Sequence, residues 1–309
     1  STFPMRPVRS YGQKFNYTEA EKRSIKDLVE SVDRAALLST VTELSSPEIF
    51  SRCSRDPGAK LAQDWIEEKF KSFGLPTETF NFRADMSDNV IAELKGTEQP
   101  DLIVVVGGHY DSRAANSGCA NQRAPGADDN ASGTATVIEM ARLFTEKKAR
   151  FKYTIQFMAF SGEEQGLLGS AAIANYMANQ GDRVVAMMNF DMTSHRASGE
   201  SIQLGFKPNG TPSLTEEMIE LANAYIPSGS HRVCYGLSGS SDFRSFINAG
   251  YQGVGFFERC GGIVNPCYHR ECDEIASNSA NDFDQVKVIA QGGVAGVATT
   301  AGFLGFGDE

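Results

Sequence analysis

Several absences in this 309-residue chain narrow the field before any motif is read. No apolar run approaches the ~20 residues a bilayer-spanning helix needs; the longest, Gly292 to Gly307, is short and broken by glycine and threonine, so no membrane span is expected. An excess of basic charge is also missing. Lys+Arg number 29 against 39 Asp+Glu, a net charge of −10, which opposes attraction to a nucleic-acid backbone or an anionic lipid surface. The six cysteines, Cys53, Cys119, Cys234, Cys260, Cys267 and Cys272, contain no CxxC pair, which argues against a thiolate zinc knuckle or a thioredoxin-like site. Histidine is scarce, at positions 109, 195, 231 and 269 only. The sequence starts at Ser1 without a methionine or a charged, apolar leader, which fits removal of a leader or pro-segment, or simple trimming.

What is present reads as a folded, exported protein. Hydrophobic residues make up 41% and charged residues 22%, a globular composition. Three cysteines crowd into 260–272, a loop-like stretch that a staple would hold, and pairing within that cluster or with Cys234 is expected. The sequons at Asn16 and Asn209 agree weakly with export.

Periodicity gives the fold class. Residues 1–15 show no repeat and read as an irregular arm; residues 16–309 read as one α/β domain. Thr18 and Glu21 make a capping box before Ile25, Leu28, Val29 and Val32, and a second amphipathic stretch runs from Ala59 to Phe73 around Trp65. Short β-rich runs follow at 78–82 and 89–94, then buried-type runs at 102–106, 153–160 and 184–190. Helical segments at 131–146 and 166–179 separate the last three, as in βαβ units with a parallel sheet. A strand at 201–206, a helix opened by a Ser213/Glu216 capping box, a short helix from Ser241, a strand at 251–258 and a long helix from Asp282 complete the pattern.

In open α/β sheets ligands bind beyond the carboxyl ends of the strands, and here those positions are loaded with acids. The first buried run empties into His109-Tyr110-Asp111, the second into Glu163-Glu164, the third into Asp191, while Asp128 and Asp129 occupy a Gly/Asp turn at a helix start. Carboxylates gathered this closely repel by a few kcal/mol per pair at an effective dielectric of about 20, and a divalent cation is the simplest relief. Imidazole with carboxylate suits zinc, with manganese or cobalt as substitutes, and His269 follows a strand able to deliver it to the same edge.

The blocks GGHYDS, APGADDNASG, FMAFSGEEQGLLGS, NFDM and the late Tyr268-His269 resemble the co-catalytic zinc aminopeptidases typified by bacterial leucyl aminopeptidases, in order and spacing from about Ala59 to the C-terminus. The resemblance implies a three-layer α/β/α sandwich around a mixed, mainly parallel sheet, with two zinc ions per chain. Asp128 would bridge them, His109 and Asp191 completing one site and Glu164 and His269 the other. Glu163 would be the general base, taking a proton from water whose pKa zinc lowers toward ~7. Asp111 would orient His109, and Asp129 would shape the turn, across a nonprolyl cis peptide in the family pattern. Tyr110 or Ser241 could supply an oxyanion donor.

Met192, Phe257 and Tyr268 fall where leucine-preferring relatives line the side-chain pocket, so peptides with a free, hydrophobic N-terminal residue are the expected substrates of a monomeric, secreted enzyme. The stretch Cys234 to Asp242 departs from the family's Cys-Gly-Tyr-Ala-Cys loop, which opens the pocket wall to change. Three rivals share the scaffold. A carboxypeptidase would use an arginine clamp from Arg113, Arg123, Arg259 or Arg270; a glutaminyl cyclase would keep one zinc; a noncatalytic receptor-like module would have lost Glu163 or several ligands.

Overall fold

Thr18 starts the first helix as its spacing to Glu21 predicts: its side chain accepts from the Glu21 N–H, and the Glu21 carboxylate accepts from the Thr18 N–H at 2.7 Å. The computed structural model describes residues 10–119, 121–227, 229, 231–236, 239–276 and 281–308. Residues 10–18 carry no regular element, although Phe15 and Tyr17 pack on the core.

In chain order the elements are α1 (Glu19–Glu30), α2 (Arg34–Leu44), α3 (Pro57–Ser72), β1 (Thr77–Phe80), β2 (Asn89–Leu94), β3 (Gln99–His109), α4 (Gly133–Glu146), β4 (Ala149–Phe151), β5 (Tyr153–Phe160), α5 (Leu168–Gln180), β6 (Arg183–Phe190), β7 (Ile202–Phe206), α6 (Pro212–Tyr225), β8 (His231–Tyr235), α7 (Phe243–Asn248), β9 (Gly253–Phe257), α8 (Phe283–Thr300) and β10 (Phe303–Phe306). The main sheet runs β1-β2-β5-β3-β6-β9-β7-β8. Its centre, β5-β3-β6-β9, is parallel; β1 and β2 pair antiparallel at one side, and β7 is antiparallel to β9 but parallel to β8. A separate pair joins β10 to β4.

The central strands are buried on both faces because helices cover both. Val104 and Val106 point into a core shared with Val29, Val41, Phe70, Met140 and Val294, whereas Val105 joins Ile173, Met177, Phe243 and Phe246 on the other face. This is the mixed, mainly parallel α/β/α sandwich that the family resemblance implies, built on the parallel core that the alternation predicts. Trp65 packs at the core's edge, partly exposed, with Lys69 5.1 Å over its ring.

Differences from the sequence reading are local. Helix α6 begins at Pro212 with Thr211 as its cap residue, and the Ser213 capping box does not form, because proline's fixed φ and missing N–H suit the first helical position. Helix α2, edge strand β8 and the short β4–β10 pair were not anticipated; β8 is half-exposed and lacks the apolar run of a central strand. The cysteines pair as Cys53–Cys119, Cys234–Cys260 and Cys267–Cys272, so the late cluster bonds both within itself and to Cys234. Among the described residues no helix is long and apolar enough to cross a membrane.

Candidate metal centre

The parallel strands deliver their last residues to one edge. His109 ends β3, Glu163 and Glu164 follow β5 after the Ser161-Gly162 turn, and Asp191 follows β6. His269 arrives from the loop beyond β9, in a left-handed conformation (φ 56°) and with its ring stacked on Tyr268. The sixth group is Asp129, from the turn that opens α4. Its Oδ1 lies 3.4 Å from His109 Nε2 and its Oδ2 3.1 Å from His269 Nε2. His109 Nε2 also faces Asp191 at 3.5 Å and Glu163 at 3.8 Å, and His269 Nε2 faces Glu164 at 3.2 Å. Two donor sets result, His109/Glu163/Asp191 and Asp129/Glu164/His269, each with its ligand atoms within 4.8 Å of one another.

Asp128, expected to bridge, faces the other way. Its Oδ1 accepts from the Ser194 and His195 N–H groups at 3.1 and 3.2 Å and from the Ser194 hydroxyl at 3.0 Å; its Oδ2 accepts from Asn265 Nδ2 at 2.8 Å. Both Asp128 oxygens are occupied by donors behind the site, and it is Asp129, not Asp128, that belongs to a donor set. The turn itself is pinned from both sides. Asp273 accepts from the Asp128 and Asp129 N–H groups, and Asn130 donates to the carbonyls of His109 and Phe190 while accepting from the Gly133 and Met192 N–H groups. A Cβ on Gly133 would stand 2.2 Å from the Phe190 carbonyl oxygen, so glycine is required for this approach of α4 to β6. The Asp129–Asn130 peptide is cis.

Asp111 lies beneath the centre. Its carboxylate accepts from the Glu163 and Glu164 N–H groups at 3.2 and 3.1 Å, while His109 Nδ1 is 3.0 Å from the Asp111 carbonyl and 3.4 Å from its carboxylate. Asp111 thus fixes both the ring and the paired glutamates. Arg52, fully buried, donates to the carbonyls of Leu44, Tyr110, Pro125 and Gly126; burial lowers its pKa to about 10, and Asp273, Asp111, Asp129 and Glu164 oppose that shift.

Crowding has the electrostatic consequence expected of carboxylates short of counter-charge. Burial, reinforced by Asp129, raises Glu164 to about 7, and burial with Glu164 and Asp191 nearby raises Glu163 well above its ordinary value. Burial opposes a proton on His269, yet Asp129 and Glu164 hold one there and raise its pKa to about 9. Asp191 is lowered despite burial, because Lys207 and His109 stabilise its charge. Glu164 Oε1 is buried with no hydrogen-bond partner, while its Oε2 faces His269. Donor chemistry and this orphaned oxygen both fit a divalent metal.

Met192 and Tyr268 line a cavity of about 90 Å³ with His109, Asp129, Glu163, Asp191 and His269. Phe257 stands behind Lys207, whose ammonium lies 5.0 Å over its ring. The Tyr110 hydroxyl donates to the Asp88 carbonyl, away from the centre, while the buried Ser241 hydroxyl has no partner. His195 and His231 belong to neither donor set. Among the arginines weighed for a clamp, Arg123 pairs with Glu274 and Arg259 with Glu200, and Arg113 lies 3.9 Å from Glu164. The sequence reading missed Asp273, Arg52 and Lys207. A lone basic residue after an edge-side strand carries no signal of its own, and Asp273 emerges only once the chain brings it to the turn.

Residues 89–291 match the family model for peptidase family M28, and the chain belongs to that family. A probable zinc metalloprotease of Pyrenophora tritici-repentis is 32% identical over 286 residues, 76% of this chain and 65% of that one. The chain thus spans just under two thirds of that relative's length. Among solved structures, the Legionella pneumophila LapA aminopeptidase superposes with a TM-score of 0.80 at 21% identity, over 94% of this chain and 78% of that one. The Porphyromonas gingivalis glutaminyl cyclase superposes with a TM-score of 0.69 at 16% identity, over 86% and 98%. At these identities the superpositions establish a shared fold.

Proposed function

We propose that this protein is a metallo-aminopeptidase that holds two zinc ions and removes N-terminal residues from peptides. The observation carrying this reading is the two-faced Asp129 carboxylate, one oxygen toward His109 and the other toward His269. His109 and Asp191 would hold one ion, Glu164 and His269 the other, with Asp129 shared; manganese or cobalt could substitute. Zinc supplies Lewis acidity, polarising a carbonyl and lowering the pKa of water from 15.7 to about 7. The remaining work falls to the chain. Glu163, adjacent to a ligand residue but free to stay unligated, takes the proton of the attacking water and returns it to the departing amine when the peptide C–N bond breaks. Asp111, through the Glu163 and Glu164 N–H groups, holds that base in reach.

The free amine of the substrate suits the acids at the cavity, Glu163 and Asp191; no arginine lines that cavity among the described residues, and its lysine, Lys207, is already paired with Asp191, which favours an N-terminus over a C-terminal carboxylate at the reacting centre. Donors on both sides of Asp129, His109 with Asp191 and Glu164 with His269, favour a peptidase over a one-zinc cyclase, and retention of Glu163 favours an enzyme over a binding module. Three disulfides support an oxidising, extracytoplasmic setting.

The test is chelator-sensitive hydrolysis of aminoacyl p-nitroanilides by zinc-replete protein, with N-acetylated and C-terminal dipeptide substrates as controls. Glu163→Gln should retain its metal and lose turnover by about 100- to 10,000-fold. Near-normal rates would remove Glu163 as the base, and cleavage of the blocked substrates would reverse the direction of attack.

A further inference from the structure

The cavity expected to be apolar carries a buried cation. Lys207 follows β7, and its side chain is 2% exposed. Lys207 lines the same small cavity as Met192, Ile263 and Tyr268. It donates to Asp191 Oδ2 at 2.8 Å and sits over the face of Phe257. An ammonium has three N–H donors, and Asp191 is the one oxygen bonded to it among the described residues. A desolvated donor left short of acceptors costs free energy that an incoming acceptor recovers.

The space beside this ammonium is kept open by backbone choice. Gly239, at φ 99°, would place a Cβ only 3.2 Å from Lys207 Nζ, so a side chain there would close the approach. Asp191 does not cancel the cation fully. Its Oδ1 faces His109, and a divalent cation held by Asp191 would weaken the carboxylate's hold on Lys207 and leave more positive charge toward the cavity. Volume points the same way. About 90 Å³ suits one short side chain, well below the several hundred Å³ of sites built for larger ligands.

We infer that Lys207 sets the specificity of the proposed aminopeptidase toward peptides whose N-terminal residue has an acidic side chain, glutamate or aspartate, by pairing its ammonium with that carboxylate at the cavity wall. The inference rests on the aminopeptidase reading. Within it, the substrate amine lies toward Glu163 and Asp191, the side chain runs past Met192 and Tyr268, and its carboxylate completes the donors of Lys207. Glutamine, isosteric with glutamate but uncharged, binds less well, and leucine leaves the ammonium without a new acceptor.

The experiment compares kcat/KM for the glutamyl, glutaminyl, leucyl and alanyl p-nitroanilides, using the zinc-replete wild type, Lys207→Met and Lys207→Arg. The wild type should favour glutamyl over leucyl substrate by at least about tenfold, Lys207→Met should lower that ratio by at least about tenfold, and Lys207→Arg should restore part of it. Ratios within one variant cancel any general loss from disturbing Asp191. Should Lys207→Met fail to fold, competitive inhibition of wild-type alanyl hydrolysis by free L-glutamate, stronger than by L-leucine, supports the inference, and the reverse order overturns it. A glutamyl-to-leucyl ratio unchanged by Lys207→Met, or a wild type that prefers leucine, also overturns it while leaving the aminopeptidase intact. Absence of hydrolysis of every aminoacyl substrate would instead overturn that reading and this inference with it.

Discussion

Asp128 and Asp129 are neighbours of one chemistry, both buried, and opposite in circumstance. Around Asp128 the backbone has gathered N–H groups from Ser194 and His195 and an amide from Asn265, so its charge is answered by fixed dipoles. The Asp129 carboxylate meets two imidazoles and the edge of a carboxylate cluster. The same division runs through the whole region. Asp111 and Asp273 take backbone N–H groups and form a fixed layer, whereas Glu163, Glu164, Asp129 and Asp191 form a layer turned toward a shared space. A buried acid is therefore structural or ligating according to the donors that its local backbone supplies, and residue type alone does not separate the two.

The sharpest way to break this comparison is to neutralise each neighbour in turn. Asp129→Asn should lose metal at both sites, dropping the metal-to-protein ratio from about two toward zero and abolishing turnover. Asp128→Asn should keep its metal and lose about 1–3 kcal/mol of stability in denaturant melts, because an amide cannot accept from all the donors that now converge on its oxygens. The opposite result, metal lost from Asp128→Asn and retained by Asp129→Asn, would restore Asp128 as the bridge.

An intermediate effect is expected one layer down. Asp111→Asn leaves the ligands in place but weakens acceptance from the Glu163 and Glu164 N–H groups, and metal affinity measured by chelator competition should fall about 10- to 100-fold. Unchanged affinity would mean that the glutamates are held without it.

The smallest effect is in the pH response of the metal-free protein. Glu164, raised from 4.5 to about 7, and His269, raised from 6.5 to about 9, both bind protons more tightly folded than unfolded. Their stabilising contribution is complete below the unfolded values and is lost as pH rises through the folded ones. The melting temperature of metal-free protein should thus fall between about pH 5 and pH 9, and zinc should flatten the trend. Asp191, lowered in the fold, contributes above the ordinary carboxylate range and stays constant across this window. A melting temperature that rises over the window would contradict the protonated layer.

Much of this was legible in the chain. Continuous aliphatic runs at 102–106, 153–160 and 184–190, spaced by helices, announce strands buried on both faces, and the residues that end them are the groups that converge. Helix starts are local chemistry: Thr18 caps as read, and the last helix opens at Asp282, where the sequence places its start. What stayed hidden depends on partners far along the chain. Which of two adjacent aspartates faces the centre was decided by Ser194, His195, Asn265 and Asp273, all more than sixty residues from the turn.

The amino-acid sequence alone determined the sheet, the edge at which chemistry occurs and most of the residues assembled there, because burial periodicity and turn chemistry act over short spans. Tertiary structure alone decided which carboxylates are quenched by backbone donors, that Arg52 anchors the turn through four carbonyls, and that Lys207 reaches the cavity wall. Those outcomes depend on solvation and on the direction of individual lone pairs, which exist only once the strands have been brought side by side.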